Sequence, residues 1–374
     1  MEFISSLLKV GRFQKLQMIT EYFIQFMNRR KINNNLLCSE CFKDEGLKLD
    51  SFQIGILNNQ KCPNCKSING KKLNENLIEK LIYRFFISGT VHKVEYGAAP
   101  LIKYNSYHYK KTEVDFGELL NQDVKLLEQI LKIGFFHYGP RLWTLGHIEP
   151  LEDLRSLTNR NKIVERIIAG YPIKFLGVQE SFYRIRKNPD FPINCDQYDS
   201  NPNPGSGRLD SEDFPVLYGS QDLEVCIHEC RVTVSDELYI AKLKPTSRLK
   251  LLDLTKEVNE KFNTEFESLG IAVSMIHSAG SYSYEITKSI AKSVKKSGFD
   301  GIIYPSFFSS VRTGSSGDFV SKFKESSENI SYIIPNIALF GFPVKEEKII
   351  VQNINKLILD KVEYTISFGP AKIA

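Results

Sequence analysis

Residues 182–231 read FYRIRKNPDFPINCDQYDSNPNPGSGRLDSEDFPVLYGSQDLEVCIHECR. Tyr183 to Ile185 predicts a short strand, and the Asn, Pro and Gly cluster from Asn188 to Gly207 predicts a long loop of the kind that carries function. Phe214 to Tyr218 is a second apolar run, turning at Gly219 and Ser220 into a helix with Ser220 or Asp222 as N-cap. On that helix Leu223, Cys226, Ile227 and Cys230 recur at the spacing of a buried stripe, with Glu229 at its edge. A carboxylate placed there is partly desolvated, which is costly unless it is paired or functional; the other reading is a glutamate that reaches solvent or bonds a nearby arginine. Arg184, Arg186 and Arg208 flank the loop, and guanidinium forks suit phosphate oxygens. Tyr218 either fills the core or stacks on a planar ligand.

Together these residues resemble the RES domain family. The resemblance runs through FYRIR, GRLD, PVLYGS, the helix ending in His-Glu-Cys with Glu229, then YIAKL and LLDLT, the DGIIYPS segment at 300–306 and NIALF, over roughly residues 175–345. Leu209 follows the Gly-Arg pair where the family often has an aromatic ring, and the Tyr-Pro-Ser context selects Ser306 over Ser309 and Ser310 as the family's serine. The resemblance implies an ADP-ribosyltransferase-like α+β domain that degrades NAD, by hydrolysis or phosphorolysis, with ADP-ribosyl transfer a third outcome. Such a domain typically serves as an intracellular toxin or defence effector restrained by an antitoxin or other regulatory partner. It implies Glu229, Ser306 and Arg184 as catalytic residues, with Arg184, Arg186, Arg208, Tyr218 and Ser306 binding NAD. The chemistry fits independently: cleaving the nicotinamide–ribose bond passes through an oxocarbenium-like cation that a carboxylate stabilises.

Outward from this stretch, a length of 374 residues predicts two or three domains, and 42% hydrophobic residues suffice for real cores. The expected division is an N-terminal helix plus zinc ribbon at 1–73, a mainly helical middle region at 74–170 and the NAD-consuming domain at 171–374. A net charge of +5 is too weak to imply DNA binding alone. The N-terminus lacks a secretory pattern, and the longest apolar run, Tyr332 to Val344, is broken by Pro335 and is shorter than the roughly 20 residues of a membrane-spanning helix. A cytoplasmic protein with no membrane partner is expected.

Of the seven cysteines, Cys38, Cys41, Cys62 and Cys65 form two Cys-x-x-Cys pairs separated by twenty residues. That spacing predicts a four-thiolate zinc site, and four protein ligands leave no open position, so the metal is expected to be structural. The nearby Lys43, Lys48, Lys61, Lys66, Lys71 and Lys72 lack interleaved aromatics and read as a solvated face. Residues 3–27 show helical periodicity, as do the stretch after Asn74 and Gly117–Lys132, while Ser88 to Tyr109 suits a strand pair. Arg141 and His147 form an R-x5-H pair similar to that of HEPN ribonucleases. It supports an alternative reading in which the ribbon binds RNA and this pair cuts it, although Pro140 and Gly146 suit that helix poorly. Toward the C-terminus, strands are expected at Leu238–Leu243, Leu249–Leu254, Phe299–Tyr304, Tyr332–Phe340, 347–351 and 362–368, with a helix at Ser281–Ser297.

Overall fold

The computed structural model describes residues 35–94, 97–105, 111–138, 148–256, 258, 260, 264, 267–306, 308, 333–363 and 366–374. The expected helix at 3–27, the Arg141/His147 pair, Ser309 and Ser310 lie outside the described residues. Contacts divide the chain into two compact units. One comprises Met1–Val91, Pro100–Tyr138 and Ile366–Ala374, and the other His92–Ala99 and Gly139–Thr365.

In the first unit, β1 (Asn35–Cys38) leads to α1 (Glu45–Ile54), and β2 (Lys72–Asn74) pairs antiparallel with β1 and runs into α2 (Glu75–Ile82). Asp44 and Asn74 cap these helices through side-chain oxygens that accept from Leu47 N and Leu77 N. After a π-helical turn at Tyr83–Ile87, β3 (Val91–Val94) and β4 (Gly97–Pro100) form a ribbon whose residues His92–Ala99 belong to the second unit. Next, β5 (Ile102–Asn105) and β6 (Gly134–His137) pair across α3 (Glu118–Leu131), which occupies the helix expected at 117–132. Phe85, Phe86, Phe116 and Phe135 interlock at the centre of one core, in which Cys38, Cys41 and Cys62 are also buried. Between 362 and 368, expected as a strand, the described residues form none. Instead Phe368 N donates to buried Asp50 and Ile366 O accepts from Arg84, so these two backbone groups find side-chain partners without a ladder, while further on Asp115 and Ala374 exchange backbone hydrogen bonds of 2.7 and 3.0 Å.

The second unit is a single eight-stranded sheet with helices. In chain order it contains α4 (Glu149–Arg155), α5 (Arg160–Gly170), β7 (Ile173–Leu176), β8 (Phe182–Lys187), β9 (Val216–Ser220), α6 (Leu223–Glu229), β10 (Leu238–Pro245) and β11 (Leu249–Asp253). It continues with α7 (Leu269–Ser278), α8 (Tyr284–Lys296), β12 (Gly301–Pro305), β13 (Pro335–Phe340) and β14 (Ile349–Leu357). The strand order is β14-β10-β8-β9-β13-β12-β11-β7, and every pair is antiparallel except β11 with β12. At the central strands β12 and β13 both faces are covered, which explains why these two read as continuous apolar runs, whereas the edge strands β7 and β14 are largely exposed. Ile302, Ala338, Phe340 and Val216 pack with α4, α5, α7 and α8, while their neighbours Ile303, Ile337, Leu339 and Leu217 pack with Phe182, Tyr198 and Leu243.

Candidate active site and metal centre

A row of paired residues crosses four strands: Tyr183 opposite Ser220, Ser220 opposite Asn336, and Asn336 opposite Tyr304. Directly paired residues share a face, so this row lies at one end of the sheet, where β9 and β12 finish and β8 and β13 begin. Ser220, fully buried, donates to Pro335 O at 2.8 Å and accepts from Asp222 N at 3.2 Å, which fixes the turn out of β9. Asp222 then caps α6 by accepting from Val225 N at 3.0 Å, as one of the two candidate caps. The helix is only seven residues long, and Arg231 takes positive φ just beyond it. Its last residue is Glu229.

The carboxylate of Glu229 meets the row. Ser306 Oγ donates to its Oε1 at 2.7 Å and Asn336 Nδ2 donates to the same oxygen at 2.6 Å. Ser306 Oγ in turn accepts from Phe308 N at 3.1 Å, and the Phe308 ring stacks on His228 with centroids 5.4 Å apart. Ser306 and Asn336 are buried, whereas Glu229 is exposed. This corrects the expectation of a desolvated carboxylate. The short α6 carries Cys226, with Leu223, Ile227 and Cys230 half-buried beside it, against Ile185 and Leu238, and Glu229 projects outside that contact. Among the described residues, none bonds its Oε2.

Tyr304, buried one strand over, feels the Glu229 charge, and burial and that carboxylate hold its phenol protonated. Asn336 escaped the sequence reading although it is the one polar side chain in the Ile333–Phe340 run, a signal that could have found it.

The arginines are placed differently. Arg184 and Arg186 project on the same side of β8 and bond backbone oxygens: Arg184 reaches Tyr218 O at 2.7 Å and Asp199 O at 2.9 Å, and Arg186 holds Gln197 O and Asp199 O. They thereby pin the loop after β8 where β8 and β9 part, their pairing being limited to Tyr183 with Ser220. Burial, with the adjacent Arg186 charge, pushes the Arg184 pKa down to about 9, so at neutral pH it stays cationic, and its Nε has no acceptor among the described residues. Cys230 feels Arg184, Arg186 and Glu229 together, and burial raises its thiol pKa despite the guanidiniums. Arg208 NH1 donates to His277 O at 2.9 Å, and its guanidinium lies 5.5 Å from the Tyr284 ring. Tyr218 donates to Asp210 Oδ1 at 2.7 Å and accepts from Leu209 N and Asp210 N, so its hydroxyl holds the Gly-Arg-Leu-Asp turn together. A side chain at Gly207 would strike Asp210 at 1.9 Å, which is why the turn needs glycine there. Leu209 is buried in the core.

In the first unit the sulfurs of Cys38, Cys41, Cys62 and Cys65 all lie within 4.8 Å of one another, and none is in a disulfide. Separations of 3.4, 3.5 and 3.9 Å bracket the about 3.8 Å edge expected of a tetrahedron with metal–sulfur bonds of about 2.3 Å. Asn64 Nδ2 donates to Cys41 Sγ at 3.4 Å, and a side chain at Gly70 would meet Cys38 Sγ at 2.8 Å. The four cysteines can hold a metal ion.

The lysine face is not uniformly solvated. Lys72 is fully buried with its ammonium on the carbonyls of Ile68 and Gly70, and Lys48 pairs with Glu40 at 2.9 Å.

Residues 181–317, which contain Arg184, Glu229, Tyr304 and Ser306, match the RES domain family. The chain carries a RES domain. In the RES domain of this chain the matched span includes β8, β9, α6 and β12 but ends before β13, so Asn336 comes from outside it. No curated protein matches the chain. A chain of the crystal structure of the M. tuberculosis MbcT-MbcA toxin-antitoxin complex is similar at 12% identity and a TM-score of 0.34, over 52% of this chain and 91% of that chain. No helix among the described residues is long and apolar enough to cross a membrane.

Proposed function

We propose that the RES domain cleaves the nicotinamide–ribose bond of NAD, as a glycohydrolase or phosphorylase. The observation that carries this reading is the Glu229 carboxylate, held through one oxygen by Ser306 and Asn336 and unbonded at the other among the described residues, inside a RES domain. An anchored carboxylate has lost rotamer freedom before substrate arrives, and its remaining oxygen can bond a ribose hydroxyl and face the ribosyl cation. As the glycosidic bond breaks, its electron pair goes to the pyridine nitrogen, which leaves neutral. Water or phosphate then forms the new bond at the anomeric carbon, and when water attacks its proton passes to the Glu229 carboxylate and from there to solvent. Tyr304, kept protonated beside Glu229, supplies a neutral wall.

Among the described residues Arg184 and Arg186 bond carbonyls and not carboxylates, so in this reading their positive field remains available to the diphosphate while their forks shape the loop. Arg208, Tyr218 and the turn they share form the neighbouring wall. The Cys38, Cys41, Cys62 and Cys65 site is proposed to hold structural zinc. The protein is proposed to act as an intracellular toxin or defence effector checked by an antitoxin or regulatory partner, because unrestrained loss of NAD stops growth.

Incubating the purified chain with NAD, with and without phosphate, tests the activity by chromatography. ADP-ribose identifies a hydrolase, and ADP-ribose 1″-phosphate a phosphorylase. Intact NAD after incubation with folded, partner-free protein would refute the reading.

A further inference from the structure

We propose that His277 reads a hydrogen-bond donor on the nicotinamide-riboside half of the substrate, a specificity role that rests on the NAD reading above. His277 lies on α7 and is 7% exposed. Its Nδ1 bonds Val273 O at 2.8 Å, and a carbonyl only accepts, so Nδ1 carries the proton and Nε2 presents a lone pair. That lone pair points away from the helix's own carbonyl and has no partner among the described residues.

An orphaned buried acceptor is uncommon, and a native structure that keeps one usually has an occupant for it. One ring contact links it to the candidate active site: the ring lies 6.0 Å from that of Tyr304, which feels the Glu229 charge and stands in register with Asn336, the residue that holds Glu229. The His277 carbonyl also receives Arg208, whose charge together with burial keeps the imidazole neutral and therefore an acceptor at any working pH. Opposite an acceptor, the substrate must offer N–H or O–H. Next to the scissile bond NAD carries two such donors, the carboxamide N–H2 and the ribose hydroxyls.

The experiment uses the full chain and compares kcat/KM for NAD with that for 3-acetylpyridine adenine dinucleotide, in which a methyl replaces the carboxamide N–H2 while the ribose is unchanged. His277→Phe removes the acceptor and His277→Gln restores one. The Phe variant is expected to lose roughly 10- to 100-fold in kcat/KM for NAD, with a melting temperature that does not fall, and Gln should recover part of the loss. A loss confined to NAD assigns the carboxamide as donor, and an equal loss on both substrates assigns a ribose hydroxyl. Unchanged kcat/KM on both substrates overturns the inference.

A second measurement does not depend on the variants folding. In 15N-histidine-labelled protein carrying Glu229→Gln to slow turnover, the unprotonated His277 nitrogen should shift to lower frequency when NAD binds. Binding without that shift also overturns the inference. A wild-type chain that leaves NAD intact overturns the NAD reading itself, an outcome separable from either of the others.

Discussion

At the scale of single residues, the site rests on one shared oxygen. Ser306 and Asn336 both donate to Glu229 Oε1, so replacing Glu229 by Gln keeps size and shape but removes the charge facing the ribosyl cation. The expected loss in kcat is about 10²–10³, as for one transition-state electrostatic partner, with KM for NAD little changed; steady-state kinetics check it. The same residue scale carries a pH dependence. Burial, with the Arg208 charge beside it, depresses the native His277 pKa to about 3 from an ordinary 6.5. Between those values the unfolded chain binds a proton that the native state refuses, so this stability is fully present above pH 6.5 and is lost as pH falls toward 3. Urea midpoints at pH 7 and pH 5 should therefore converge in His277→Phe relative to wild type. Glu229 and Ser306 were legible in the sequence because both sit in short recognisable motifs, whereas the exposure of Glu229 was not, since helical spacing says nothing about how far a two-turn helix reaches past its contact.

At the scale of elements, α6 is the weak link and the positioning device. Seven residues cannot hold a helix by propensity, so its geometry depends on packing of Cys226 against β8 and on the Asp222 cap. Asp222→Ala should cost about 1 kcal/mol of stability and lower kcat more than it raises KM, because the frayed helix no longer delivers Glu229 to Ser306. Thermal melts and steady-state kinetics together check this, and an unchanged kcat would show that α6 holds its place without the cap. The strands β8 to β13 were readable from apolar runs bounded by Gly, Pro and Asn. The 362–368 segment shows the same alternation yet forms no strand among its described residues, and its Phe368 N bonds the Asp50 side chain in place of a neighbouring strand.

At the scale of the whole molecule, the first unit has a modest core of its own, and the Cys38, Cys41, Cys62 and Cys65 sulfurs stand inside it. Removing metal with a strong chelator should cost that unit its cooperative melting transition, and readdition of zinc should restore it. Metal analysis together with calorimetry checks this, and an unaltered melt after complete metal loss would mean that the cysteines contribute nothing to stability. In the second unit α4 and α5 bury Leu151, Leu154, Ile163 and Ile167 in the same core as β12 and β13. A catalytic fragment proposed for expression should therefore begin before Glu149 and not at 171.

The sequence alone determined the identity of the RES-like segment, the Cys-x-x-Cys pairs and most strands and helices, because each is encoded in local spacing and residue type. Only the tertiary structure decided what those residues do to one another. It spent the Arg184 and Arg186 forks on backbone carbonyls, turned the Tyr218 hydroxyl onto Asp210, and brought Asn336, 107 positions beyond Glu229 in the chain, to the carboxylate. The physical reason is that partners across a sheet are set by strand order and register, which arise from the packing of two apolar faces at once and leave no mark on the local pattern of any one strand.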